Sequence, residues 1–138
     1  MTRATWDQYF MLLAEQAAKR STCSRLQVGA VVVQYGHVRG TGYNGAPRGV
    51  SHCVHNDDSP CRLSVHAEAN ALLHMSNVYP DNMTMMYVTH APCFECAKLM
   101  LNAGITEVIY RDVYRSMEGV LLLKEQNVKV RQEGVSHV

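Results

Sequence analysis

The sequence predicts an α/β fold, a mixed five-stranded sheet with helices on both faces. Three observations carry this. Helix-period and strand-like segments run in the order α-β-β-α-β-α-β-α-β. The first two strands are separated by a tight turn and so pair as an antiparallel hairpin. The later strands alternate with helices, the arrangement that parallel neighbours need. The chain has 138 residues, a length at which a single domain with its own core is usual, so residues 1–138 read as one domain.

The elements follow in order. Trp6, Tyr9, Phe10, Leu13, Ala14 and Ala17 recur at helical spacing, which predicts a helix over about residues 5–20 with this stripe in the core. Val28 to Val33 is short and rich in β-branched residues, so it reads as a buried strand. Tyr35 and Gly36 make a turn, and His37 to Tyr43 is the second strand of the hairpin. Residues 44–65 are loop-like, with three Pro or Gly breakers in Gly45, Pro47 and Gly49 before Pro60. A loop of that length inside a compact domain is expected to be functional or internally clamped. His66 to Asn77 reads as a helix through Ala67, Ala71, Leu72 and Met75. Met83 to Thr89 reads as a strand, and Cys93 to Ala103 as a helix closed by Gly104. Ile105 to Tyr110 is strand-like, Arg115 to Gln126 helical, and Val128 to Val130 a short last strand.

Composition removes several functions. Charged residues make up 18% and hydrophobic ones 47%, which excludes a disordered chain. The net charge of +1 speaks against a strongly basic nucleic-acid surface, though not against a local phosphate site. No apolar run approaches the ~18 residues of a membrane span. Met1 to Phe10 lacks the basic-then-apolar layout of an export signal. The expectation is a cytoplasmic protein with no nucleic-acid or membrane partner.

There are five cysteines, Cys23, Cys53, Cys61, Cys93 and Cys96. An odd count without an export signal does not suggest a disulfide framework; metal or redox chemistry is the better reading. Cys93 and Cys96 form a Cys-x-x-Cys pair preceded by Pro92, which alone fits zinc or a dithiol equally. His66 and Glu68 stand two apart where the preceding helix begins. The two helix starts can converge at one edge of the sheet, where Cys93, Cys96 and His66 would grip one zinc ion. Three protein ligands leave a fourth position open, the layout of a catalytic zinc. Positive helix ends also favour thiolates. Glu68 would not ligate; beside the metal it would take a proton from water, whose pKa zinc brings to about 7. A dithiol enzyme gives no use for His66 and Glu68. The combination of His-x-Glu with Pro-Cys-x-x-Cys is similar to the signature of zinc nucleobase deaminases.

The match extends further. His66-Ala67-Glu68-Ala69-Asn70-Ala71 and Tyr87-Val88-Thr89-His90-Ala91-Pro92-Cys93-Phe94-Glu95-Cys96-Ala97-Lys98 resemble the deoxycytidylate (dCMP) deaminase family, within the cytidine deaminase superfamily. So do Val28 to Val33 and Gly42-Tyr43-Asn44-Gly45-Ala46-Pro47. The resemblance covers about residues 5–130 and implies the three-layer αβα cytidine-deaminase-like fold. It also implies hydrolysis of dCMP to dUMP and ammonia, feeding thymidylate synthesis. Attack would fall on C4 of cytosine, with Glu68 carrying a proton to N3 and then to the departing amine. The backbone around Ala67 and Pro92 would contact the base edge, and Asn44 the sugar. Arg25 and Arg115 match phosphate-binding arginines of bacterial-type members, with Tyr114 near the nucleotide. The planar guanidinium fork suits phosphate oxygens.

Three further expectations come with the family. A second, structural zinc would use Cys23, Cys53, His55 and Cys61, with His52 as the alternative fourth ligand; a closed site of this kind clamps a loop. Activation by dCTP with Mg²⁺ and inhibition by dTTP would involve Gly42, Tyr43 and Gly45. Assembly would be a homohexamer. Two other functions compete: a deaminase of another nucleobase, a nucleoside or tRNA adenosine, and a zinc-stabilised module without catalysis. Arg25, Arg115 and the segment at Asn44 favour a nucleotide, and Glu68 has no use in a purely structural site.

Overall fold

A computed structural model describes residues 2–52 and 61–133. Its five strands are β1 (Gly29–Gln34), β2 (His37–Tyr43), β3 (Met85–His90), β4 (Glu107–Asp112) and β5 (Lys129–Gln132). They lie in the order β2-β1-β3-β4-β5. β1 is antiparallel to both β2 and β3, whereas β3, β4 and β5 are mutually parallel. The sheet is therefore mixed, as the hairpin and the later β-α units require.

The hairpin turn has two residues, both with positive φ, 54° at Tyr35 and 74° at Gly36. That geometry matches the twist of the flanking strands, and Gln34 faces His37 across it. β1 is buried along its whole length because both faces are covered. Val31 and Val33 join Tyr87 and Ile109 on one face. Ala30 and Val32 join Met86, Val88 and Val108 on the other. This two-sided burial explains a β-branched run without polar alternation.

α1 (Trp6–Ala18) covers the first face. Thr5 caps it in a capping box: its hydroxyl accepts from the Gln8 N–H, and the Gln8 side chain accepts from the Thr5 N–H at 2.8 Å. The buried stripe is Phe10, Met11, Ala14 and Ala18. The predicted stripe is thus rotated by about one position: Trp6 and Tyr9 stand exposed, and Trp6 stacks on Phe10 with 5.7 Å between centroids. Apolar residues surround much of this helix, so spacing alone left two faces in competition. The close approach at β1 decided between them. A Cβ on Gly29 would lie 2.0 Å from the Ala14 carbonyl oxygen, so Ala14 and Ala18 must face the sheet.

The other face carries α2 (Ala67–Leu73), α3 (Phe94–Asn102) and α4 (Glu118–Glu125). α2 rests on the glycines of β2. A Cβ on Gly42 would meet the Ala67 oxygen at 2.3 Å, and one on Gly40 the Ala71 oxygen at 2.6 Å. α2 is shorter than the predicted 66–77. His74 caps it with a ring nitrogen 2.8 Å from the Asn70 oxygen, and Asn77 at φ 59° turns the chain. α3 ends before Gly104 at φ 84°, as predicted. α4 starts three residues later than predicted, because residues 113–117 lead past the site.

The ends of the 44–65 segment are clamped. Gly45 and Val65 exchange both backbone hydrogen bonds, at 3.1 and 2.8 Å. No helix among the described residues is long and apolar enough to cross a membrane.

Candidate active site

Two helix starts meet at one end of the sheet. His66 is the N-cap of α2, and Cys93 is the N-cap of α3. α2 is set there by its close seat on Gly42, and α3 by the exit of β3 through Ala91 and Pro92. The Ala91 N–H bonds the Asp112 carbonyl at 2.9 Å, which extends the β3–β4 ladder into the site. Cys96 lies one turn into α3 and is buried.

These positions bring three donors together. His66 Nδ1 is 3.4 Å from Cys93 Sγ and 3.3 Å from Cys96 Sγ. All three ligand atoms lie within 4.8 Å of one another, the one such group among the described residues. The Cys96 N–H points at Cys93 Sγ at 3.5 Å. A hydrogen bond from the Cys96 thiol, helped by His66, pushes Cys93 down to about 4. Cys96 moves the opposite way, because it donates to Cys93 and is buried. The hydrogen bond to Cys93 raises His66. One imidazole and two thiols, sharing protons at a spacing a single ion can bridge, fit zinc.

Glu68 sits in the first turn of α2, 5% exposed. Burial pushes its carboxyl up to about 7. A carboxyl poised there can both take and give a proton near neutrality.

One pocket joins these groups. It is lined by His66, Ala67, Glu68, Ala91 and Cys93 at one end and by Cys23, Arg25, Asn44, Cys61, Ser64, His90 and Tyr114 around the rest. The Nε of Arg25 and the Oγ of Ser64 are buried without a hydrogen-bond partner among the described residues. A guanidinium at the pocket wall with hydrogen-bonding capacity unused by the fold suits an anion. The Asn44 amide is largely used in the fold: it accepts from the Val28 N–H at 2.8 Å and donates to the Leu26 carbonyl at 2.7 Å. One N–H and one lone pair remain for a ligand. Arg115 is not part of the lining; its guanidinium carbon stands 5.9 Å from the Tyr114 ring centroid.

Of the expected second metal set, Cys23 is buried and Cys61 half-buried, both against the pocket. Cys53 and His55 lie outside the described residues; His52 is exposed. Gly42, Tyr43 and Gly45 each have a part in the fold. Gly42 admits α2, the Tyr43 carbonyl accepts from Asn70 at 2.9 Å, and Gly45 bridges to Val65. Sequence reasoning missed Ser64 and His90. A lone serine carries no spacing signal, whereas His90 adjoins Pro92-Cys93 and could have been found from that position.

A metal-dependent hydrolytic enzyme is the class that this pocket and sheet define. The pattern for the cytidine and deoxycytidylate deaminase zinc-binding region matches residues 4–112, and the chain belongs to that family. It is 44% identical over 128 residues to the deoxycytidylate deaminase of Mycobacterium phage D29, covering 80% of this chain and 97% of that one. It is 36% identical over 143 residues to the deoxycytidylate deaminase of Saccharomyces cerevisiae, where 96% of this chain spans 46% of the yeast protein. The crystal structure of dCMP deaminase from the cyanophage S-TIM5, in complex with dCMP and dUMP, superposes with a TM-score of 0.86 at 34% identity. That match covers 96% of this chain and all of the other.

Proposed function

We propose that this protein hydrolyses the C4 amino group of dCMP, yielding dUMP and ammonia. One observation carries the reading. A single pocket holds the His66–Cys93–Cys96 cluster and buried Glu68 together with an unpartnered, buried Arg25 nitrogen.

His66, Cys93 and Cys96 hold zinc, which when bound supplies Lewis-acid activation of water near neutral pH. Glu68 carries two protons from the attacking water in turn, the first to N3 of the base and the second to the leaving amine. Its raised pKa suits both directions of transfer. Burial of Glu68 excludes bulk water from this proton path. The backbone at Ala67 and Pro92 orients the base edge, and the remaining Asn44 valences face the sugar. Arg25 binds the monophosphate, with Tyr114 of the pocket lining near the nucleotide; Arg115, outside that lining, is the second phosphate arginine that the family resemblance implies. Cys23 and Cys61, with Cys53 and His55, hold a second zinc. The proposal extends to control by Mg²⁺–dCTP and dTTP at Gly42, Tyr43 and Gly45 and to a homohexamer. Support for the control site and the second zinc is the resemblance of the Gly42–Gly45 segment and of the cysteine set; the homohexamer rests on the family resemblance as a whole.

The test is ultraviolet absorbance on deamination, with dCMP, deoxycytidine, CMP and dCTP as separate substrates. Each is run with and without added dCTP and Mg²⁺, on protein of measured zinc content. Turnover of dCMP well above deoxycytidine is expected, with two zinc ions per chain and stimulation by dCTP. Zinc-loaded protein that leaves all four untouched would sink the reading; one zinc per chain would remove the second site alone.

A further inference from the structure

One pocket residue has no part in the steps above. His90 closes β3, three residues ahead of Cys93, and lines the same cavity as Glu68. Both of its ring nitrogens face protein. Nδ1 lies 2.9 Å from Thr89 Oγ1, and Nε2 lies 3.7 Å from Asp112 Oδ2.

The direction of these contacts follows from what each partner can do. An ionised carboxylate only accepts, and Asp112 Oδ2 at 3.7 Å, outside hydrogen-bond distance, still favours the proton on the nitrogen that faces it. Nδ1 is then an acceptor. Thr89 Oγ1 already accepts the Gly29 N–H at 3.1 Å, and the Thr89 side chain is fully buried, so its own hydrogen turns to Nδ1. Asp112 is held in turn. Arg111 donates to it at 2.9 Å and reaches Glu15 of α1 at 3.3 Å. Burial keeps the His90 ring below the usual imidazole range against the pull of Asp112, so the ring is neutral at pH 7. A continuous chain of polar contacts thus runs from Gly29 through Thr89, His90, Asp112 and Arg111 to Glu15.

With Nδ1 bonded to Thr89 and Nε2 turned toward the Asp112 carboxylate, the ring offers a ligand its flat apolar face and C–H edge. We propose that His90 packs against the pyrimidine ring as an uncharged wall of the base pocket, and that Asp112 is a positioning residue acting through it by fixing the Nε2–H tautomer. The first half rests on the deaminase reading above; the second does not.

The experiment uses zinc-loaded protein and the variants H90A, H90F, D112N and the double variants of D112N with each. Steady-state kinetics on dCMP are paired with the ¹H–¹⁵N spectrum of the histidine rings, with the His90 signal assigned by its loss in H90F. Melting temperature and zinc content verify the fold. Expected is a rise in KM of about 3–10-fold for H90A and D112N with kcat within about twofold, as lost ground-state packing requires. H90F, which restores a flat ring, lies near wild type. D112N adds nothing further in either His90 background. The spectrum shows a protonated Nε2 and a bare Nδ1 in wild type and a tautomer mixture in D112N. Additive losses, an unchanged KM in H90A or a protonated Nδ1 would each overturn the proposal. A wild type inactive on dCMP overturns the deaminase reading and the pyrimidine wall with it, while the spectrum still decides the tautomer.

Discussion

Glu68 shows how one residue's setting decides its chemistry. On an exposed helix turn it would be an ordinary carboxylate. At 5% exposure, beside a cluster of sulfurs, its charged form is disfavoured and its carboxyl titrates at about 7. Glu68→Gln keeps the shape and removes the proton. The expected loss in kcat is about 10³-fold, with zinc content and melting temperature held; retained turnover would remove Glu68 from the reaction. The grouping of His66, Cys93 and Cys96 was legible in the sequence because the His-x-Glu and Cys-x-x-Cys spacings are short and sit at helix starts. Arg25 was legible only through family likeness. His90 was read only as part of the Tyr87–Lys98 motif and given no role, and Ser64 was not read, since its neighbours in the pocket come from segments far apart in the chain.

At the scale of elements, the site depends on how closely helices approach the sheet. Gly29 and Gly42 permit α1 and α2 to touch strands backbone to backbone. Gly29→Ala would place a methyl 2.0 Å from the Ala14 oxygen, where rigid backbone cannot yield. We expect a loss of about 2–3 kcal/mol of stability in urea unfolding. A neutral result would mean that α1 can ride outward at no cost. The strand pattern and the hairpin were readable because β-branched runs and a Tyr-Gly turn leave few alternatives. The face of α1 was not, because Trp6, Tyr9 and Leu12 are as apolar as the residues that go inside. The start of α4 was also misplaced, since its N-cap, Met117, makes no side-chain bond and the Glu118 N–H is met instead by the Ser116 hydroxyl at 3.4 Å.

At the scale of the whole molecule, the first helix and the last strand are tied by charge. Arg131 of β5 holds Asp7 through two nitrogens and Glu107 of β4 at 2.7 Å, and the Tyr87 hydroxyl donates to Asp7. The Arg131 hydrogen bonds hold Asp7 below its ordinary value of 3.8. A depressed carboxyl stabilises the fold fully above its unfolded pKa of about 3.9. That contribution is lost as the pH falls through the lower folded value. Asp7→Asn should therefore lower stability by about 1–3 kcal/mol at pH 7 and flatten the decline below pH 4. Equal acid sensitivity in both proteins would assign the decline to other carboxylates.

The Asp7–Arg131 clasp spans 124 positions of sequence. On the ribosome, Asp7 precedes its partner by 124 residues and waits while the strands and helices between them are made. Throughout that interval α1 can lean on β1 and β3, but its acidic end has no counter-charge. The strand that completes the sheet also delivers the cation, so closure of the edge and neutralisation of the first helix fall in the same late step.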